Sequence, residues 1–326
     1  MKSNDELIAI RKGLKRVAMA WHPSVWLKTP FPMLNNVIGH AERGLAYGRM
    51  IEISGWESSG KSSLTLTLAA LAQRDGAHVI WGDIENSFEA DWALQRGFIK
   101  CPICLGKNYE QCVGCGYDPK EPGSEGCGLD TSRITLIQPY VGTFEGEKSP
   151  RLSTAQELCS EIEACIKYKR KEDRCFVVLD SIAALETEEE RKAGIEGANM
   201  RTNMALSMLL GRLLRRWVGL AQVHNAAIIL VNQLRSGPKA FGDPTYAPGG
   251  NAPRFYSHVR LRVKRVMGSK IVDKGKTLGI KGIIECKKNK TGGEEGAKIG
   301  FRLFFRGKVE FVKPSAVAPD KDKDSD

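Results

Sequence analysis

No run of about 18 or more apolar residues occurs anywhere in the 326-residue chain, so hydropathy offers no membrane-crossing helix and no membrane partner is expected. The opening Met1-Lys2-Ser3-Asn4-Asp5-Glu6 lacks the charged start and apolar run of a secretory signal, and a cytoplasmic protein is expected. No internal repeat is visible. Disulfides are not expected either: nine cysteines in a reducing compartment read as metal ligands or buried thiols. Acidic excess is also missing. The net charge of +11 favours an acidic partner, nucleic acid first, although it also serves solubility. With 42% apolar residues, the chain can build a sizeable core as one large domain or two ordinary ones.

What is present is organised around Gly55-Trp56-Glu57-Ser58-Ser59-Gly60-Lys61-Ser62, which fits the phosphate-loop pattern G-x-x-x-x-G-K-[ST]. Met50–Ser54 before it is strand-like, and Ser63–Ala72 after it can continue as a buried helix. Glycines let successive backbone N–H groups converge on an anion, and a helix N-terminus adds its positive end. Lys61 can reach the outer phosphates of a nucleotide, and the Ser62 hydroxyl can ligate Mg²⁺.

Around this loop the chain alternates strands and helices. His78–Gly82, Ile134–Ile137, Cys175–Asp180 and Ala226–Val231 read as strands. Ser153, with Gln156 three residues on, is expected to cap a helix through Ile166, and a long helix is expected after Gly197. The continuously apolar runs suit a parallel sheet covered on both faces, so the fold class is α/β. From Phe255 onward the pattern alternates, with Arg260, Arg262 and Lys264 between Val259, Leu261 and Val263, and further strands and a hairpin at Arg306-Gly307-Lys308 follow. Residues 1–28 read as a basic, partly amphipathic helical segment for oligomerisation, 29–312 as the core, and 313–326 as a disordered tail.

Asp180 closes an apolar strand, the place for an acid that holds Mg²⁺ directly or through water. Glu85 lies just past another strand and can orient and deprotonate a water. Gln233 ends the Ala226–Val231 strand and can reach the γ-phosphate side. The glycine- and proline-rich stretch Leu234–Asn251 that follows carries Arg235, Lys239 and Phe241 and is long enough to be functional. Separately, Cys101, Cys104, Cys112 and Cys115 form C-x₂-C-x₇-C-x₂-C, the spacing of a closed four-thiolate Zn²⁺ site, within an insert of about residues 100–130. Cys127 is an alternative ligand.

These pieces in this order resemble the RecA family of recombinases. The resemblance rests on the phosphate loop, Asp83-Ile84-Glu85, Val177–Leu185, Asn232-Gln233-Leu234-Arg235, Gly249–Tyr256 and Lys288-Asn289-Lys290, and it covers about residues 28–312. It implies a RecA-like ATPase core with C-terminal antiparallel strands. It also implies an ATP- and Mg²⁺-dependent helical filament on single-stranded DNA that pairs with duplex DNA and exchanges strands.

By that resemblance Glu85 is the general base, Lys61 contacts phosphate, Ser62 and Asp180 serve Mg²⁺, and Gln233 senses the γ-phosphate. Ser63 belongs to the nucleotide loop, and Glu89 and Trp92 contact adenine. Lys288 and Lys290 reach the ATP of a neighbouring subunit, and Arg254 and Phe255 couple ATP to that interface. DNA contacts fall on Met200, Arg215, Arg235, Lys239, Phe241, Gly249, Gly250, Asn251 and Lys264, with a first DNA loop opening at Ile195. The chain has no room for the separate C-terminal domain of bacterial RecA, as in phage-type members. A helicase-type motor on the same core, or an accessory paralogue that binds DNA, remain alternatives. The Zn²⁺ reading rests on spacing alone.

Overall fold

The computed structural model describes residues 23–104, 129–144, 149–168, 173–194, 197, 199–236 and 245–317. The main sheet has nine strands: β1 (Met50–Gly55), β2 (His78–Asp83), β3 (Ile134–Ile137), β4 (Cys175–Asp180), β5 (Ala226–Gln233), β6 (Val259–Asp273), β7 (Lys276–Asn289), β8 (Lys298–Phe304) and β9 (Val309–Val312). Their spatial order is β9-β8-β7-β6-β1-β5-β4-β2-β3. Pairings from β6 through β3 are parallel, and those from β6 out to β9 are antiparallel. The helices are α1 (Pro32–Ile38), α2 (Lys61–Arg74), α3 (Ala90–Arg96), α4 (Ala155–Tyr168), α5 (Glu188–Ala193), α6 (Met200–Val223) and α7 (Ala252–Tyr256).

The central strands β4 and β5 are apolar and buried almost throughout because both faces are covered. In β4, Phe176 and Val178 face one core, which includes Leu64 and Leu68 of α2. Val177 and Leu179 face the other, with Ile162 of α4 and Trp217 of α6. A strand's side chains alternate between faces, so a central strand in a three-layer fold needs apolar residues at every position. Register then brings functional positions to one edge: Asp83 lies beside Asp180, and Gly55 beside Gln233. This is the carboxyl edge of the parallel strands, where ligands bind in open α/β sheets.

Three boundaries differ from the sequence expectation. The cap of α4 is Thr154 rather than Ser153: Glu157 accepts from the Thr154 backbone N–H at 2.7 Å and its hydroxyl at 2.9 Å. Ser153 is drawn off as an acceptor for the Tyr140 N–H. Within the expected 1–28 segment, Trp26–Leu27 pairs antiparallel with Leu45–Ala46, and Leu27 is buried in the core. That part belongs to the core because its apolar side chain is covered there. The rest of that expectation, residues 1–22, lies outside the described residues. The fold also continues past 312: Pro314–Val317 forms a helical turn and buries Val317, so the tail boundary at 313 falls too early. Residues 318–326 lie outside the described residues.

Candidate functional site

The phosphate loop joins β1 to α2 and wraps the first turn of that helix. Gly60 sits at φ +96°, a left-handed conformation that a side chain would strain. A Cβ on Gly55 would lie 2.5 Å from the Val263 carbonyl oxygen and 2.6 Å from Ser59 Oγ. Lys61 is buried, its ammonium donating to the Trp56 carbonyl at 2.7 Å. Burial pulls its pKa down, while Asp180, Glu85 and Glu57 oppose that shift.

Asp180 is buried at the end of β4. Burial pushes its carboxyl up to about 6. A hydrogen bond from Ser62 lowers it, the charges of Glu85 and Asp83 raise it further, and Lys61 lowers it. Neighbouring Asp83 is buried too, accepting from the N–H groups of Ser87 and Phe88 at 3.0 Å each and from Gln138 at 2.8 Å. These bonds fix the turn that carries Glu85. The Glu85 carboxylate is exposed and accepts from the Gln233 amide at 2.8 Å and from the Ser181 hydroxyl.

A cleft of about 630 Å³ opens beside the loop. Ser58, Ser59, Gly60, Lys61, Ser62 and Ser63 form one side. Glu89 and Trp92, expected at the base, line it as well. Sequence reasoning missed the rest of the lining: Arg96 at the end of α3, and Arg265, Lys270, Ile280, Leu303 and Phe305 from the antiparallel strands and the turn after β8. No local pattern marks those positions; only the fold brings them across.

A nucleotide triphosphate fits this donor set. Ser59 Oγ is buried with no hydrogen-bond partner among the described residues, a donor left for a phosphate. Mg²⁺ fits Ser62 and Asp180, since this ion is commonly held by one or two protein groups together with substrate phosphates. No cluster of three or more His, Cys, Asp or Glu that could hold a metal ion occurs among the described residues.

A second crevice, about 1020 Å³, lies on the same sheet. Arg235, Gly249, Gly250 and Asn251 line it, as does Arg254. Arg260 and Arg262, which the sequence showed only as a basic outer face, add cations, and so does Lys287, which the sequence did not single out. The loop root is closed by an antiparallel pairing of Arg235–Ser236 with Thr245–Tyr246. Under the crevice Glu52 is buried and ion-paired to Arg260 at 2.5 Å. Asn232 donates to Glu52 at 3.3 Å and to the Pro248 carbonyl at 3.1 Å. Adjacent residues of β5 thus serve the two sites, Gln233 the Glu85 carboxylate and Asn232 the loop.

The remaining expected residues are scattered. Met200 is exposed at the start of α6, which Asn199 caps through Thr202. Arg215 is exposed on α6 and donates to the Tyr256 hydroxyl at 3.3 Å, and Lys264 pairs with Glu285 at 3.5 Å. Lys288 donates to the Arg254 and Phe255 carbonyls at 2.9 and 3.1 Å, and Phe255 is exposed. By register Asn289 pairs with Val259, which pairs with Ile51, four residues from Gly55. Lys288 and Lys290 therefore lie about 13 Å along the sheet from their own phosphate loop, toward the opposite edge. Cys101 is buried and Cys104 half-buried. Cys112, Cys115, Cys127, Lys239, Phe241 and Ile195 lie outside the described residues.

The chain matches the RecA N-terminal domain family over residues 32–101 and 160–299. It belongs to that family. Protein RecA of Clostridioides difficile is 28% identical over 286 residues, 83% of this chain and 67% of that protein. Protein RecA of Ruminococcus albus is 27% identical over 249 residues, 76% of this chain and 49% of that protein. The chain thus spans about half the length of the latter relative. A crystal structure of the RadB recombinase superposes with a TM-score of 0.51 at 19% identity, covering 88% of this chain and 99% of that one, which shows a shared fold. The RecA-family match breaks between residues 101 and 160, the stretch that holds the cysteine insert.

Proposed function

We propose that this RecA-family chain is a DNA-dependent ATPase that assembles as a helical filament on single-stranded DNA and exchanges strands with homologous duplex DNA. One observation carries the coupling of ATP to DNA. Consecutive residues Asn232 and Gln233 tie the loop at the basic crevice and the Glu85 carboxylate to one strand end. A change at either site is felt by the same two residues.

In this reading Lys61, Ser62 and the loop N–H groups hold the phosphates, and Ser62 and Asp180 hold Mg²⁺, which supplies charge neutralisation. Glu85 orients and deprotonates the attacking water. Trp92 and Glu89 take the base. Lys288 and Lys290, set toward the other edge of the sheet, reach the nucleotide of the next subunit, with Arg254 and Phe255 at that contact. Arg235 with the Gly249, Gly250 and Asn251 backbone binds DNA without reading sequence, as exchange requires. Met200, Arg215, Lys239, Phe241 and Lys264 extend that surface. The test is ATP turnover with and without single-stranded DNA, alongside negative-stain imaging. Strong stimulation with helical filaments supports the reading. DNA-independent turnover with rings or monomers moves it to a helicase-type motor or an accessory paralogue.

The insert between Lys100 and Leu129, whose ends are joined by a β-bridge, is read as a Zn²⁺ clamp held by Cys101, Cys104, Cys112 and Cys115. A closed base and a four-thiolate spacing suit a structural site. Metal analysis of the folded, chelator-washed chain is expected to give about one Zn²⁺ per chain; none would remove the proposal.

A further inference from the structure

Arg96 is the last residue of α3, one helical turn beyond Trp92 on the same face. It is a buried cation, 6% exposed, and no carboxylate among the described residues pairs with it. Burial holds its pKa down at about 10. Such a group is costly unless its donors are satisfied. Two of its nitrogens are: Nη2 donates to the Phe304 carbonyl at 2.9 Å, and Nη1 donates to the Gly307 carbonyl. Its Nε has no partner among the described residues. The guanidinium also lies 5.7 Å from the Trp92 ring centroid, within cation–π range.

The two carbonyls bracket Phe305, and Phe305 and Trp92 both line the nucleotide cleft. Arg96 therefore ties the helix that carries Trp92 to the turn that carries Phe305. Phe305 is held from behind as well, its N–H donating to the Leu278 carbonyl at 2.9 Å. A planar fork with several fixed donors can grip two carbonyls and stack on a ring at once, which an ammonium cannot.

Building on the nucleotide reading above, we propose that Arg96 is a positioning residue for the nucleobase. It locks the spacing between Trp92 and Phe305, and so sets how tightly the base is held and how well purines are told apart. Arg96 itself also lines the cleft, on the helix that carries Trp92.

The test is equilibrium binding of ATP, GTP and inorganic tripolyphosphate, each with Mg²⁺, to the full chain and to Arg96→Leu and Arg96→Lys. Arg96→Leu is expected to weaken ATP about tenfold and to narrow the gap between ATP and GTP, with tripolyphosphate affinity moving less than about twofold. Arg96→Lys is expected to recover part of the loss, because its ammonium can still reach a carbonyl. Equal weakening of ATP and tripolyphosphate, or no weakening of ATP, overturns the role. If Arg96→Leu does not fold, Arg96→Lys and Phe305→Ala are combined: losses that multiply independently overturn it, and a shared loss supports it. A wild-type chain that binds neither ATP nor tripolyphosphate refutes the nucleotide reading itself. One that binds tripolyphosphate but not ATP refutes only the base pocket.

Discussion

The Gln233 side-chain amide donates to Oε1 of Glu85 at 2.8 Å, linking the ends of two strands that are not neighbours in the sheet. β4 lies between them, and Ser181, the residue just past its end, donates to the same carboxylate. Glu85 is thus restrained from two sides while remaining exposed at the carboxyl edge of the sheet. Replacing it by glutamine keeps the shape and removes the basicity. Glu85→Gln is expected to bind ATP and DNA normally and to lose turnover by about 10²–10⁴-fold. Gln233→Ala is expected to leave nucleotide binding in place and abolish stimulation by DNA. Normal hydrolysis by Glu85→Gln sinks the base assignment; full stimulation of Gln233→Ala sinks the coupling.

Asp180 gives a pH signature. Its folded pKa, about 6, stands above the ordinary value of 3.8, chiefly because burial disfavours the charge. The folded chain therefore binds a proton there more tightly than the unfolded chain. That stability is fully present below 3.8 and is lost as pH rises through about 6. Asp180→Asn carries no such charge. Relative to wild type it is expected to gain on the order of 2–3 kcal/mol between pH 4 and pH 8 without nucleotide, measured by urea unfolding. Mg²⁺ with ATP is expected to erase the difference by favouring the carboxylate. A pH-independent difference contradicts the assignment.

The phosphate loop and the strand-end acids were legible because each is a local pattern: glycines at fixed offsets, or an acid closing an apolar run. Period-two alternation likewise marked the buried face of β6. The part of the nucleotide cleft built from the antiparallel strands was not legible. Phe305 reaches the cleft only because two antiparallel pairings carry β7 and β8 alongside β6, and Lys270 only because β6 pairs with β1, and no spacing in the chain records either. Arg260 shows a subtler limit. Its alternation with Leu261 suggested a solvent face, whereas the structure sets it over buried Glu52 as a counter-ion.

Lys290 offers a clean test of a site shared between subunits. It is exposed, whereas Lys288 also holds the carbonyls of Arg254 and Phe255, so its loss perturbs α7 as well. Lys290→Ala is expected to lower turnover at least about tenfold on DNA while leaving ATP affinity of the dispersed chain unchanged. Lys61→Ala is expected to be inactive alone. Mixing the two variants creates some interfaces with an intact loop on one side and an intact lysine on the other, and activity should partly return. No recovery in the mixture means that the lysine acts within its own chain.

The Glu52–Arg260 pair separates stability from DNA binding. Glu52 is 1% exposed, so removing its partner leaves a buried charge whose remaining help comes from Asn232. Arg260→Ala is expected to cost about 3–5 kcal/mol of stability. Glu52→Gln together with Arg260→Met is expected to restore most of it, because no buried charge is left unpaired. Equal stability of Arg260→Ala and wild type in urea unfolding refutes the pairing.

Arg235 reports on the crevice itself. It is exposed at the loop root and has no ion pair among the described residues. Its charge is free to meet a phosphate, and removing it should cost little stability. Arg235→Ala is expected to weaken single-stranded DNA of every sequence by a similar factor. It should also reduce the slope of log affinity against log salt by about 0.7, the amount that one neutralised phosphate adds on a single strand. A weakening confined to particular sequences means that the residue reads bases, which contradicts a crevice built for sequence-neutral exchange. An unchanged slope means that DNA lies elsewhere on the chain, and the tie from Asn232 to Pro248 then connects the ATP site to something other than DNA.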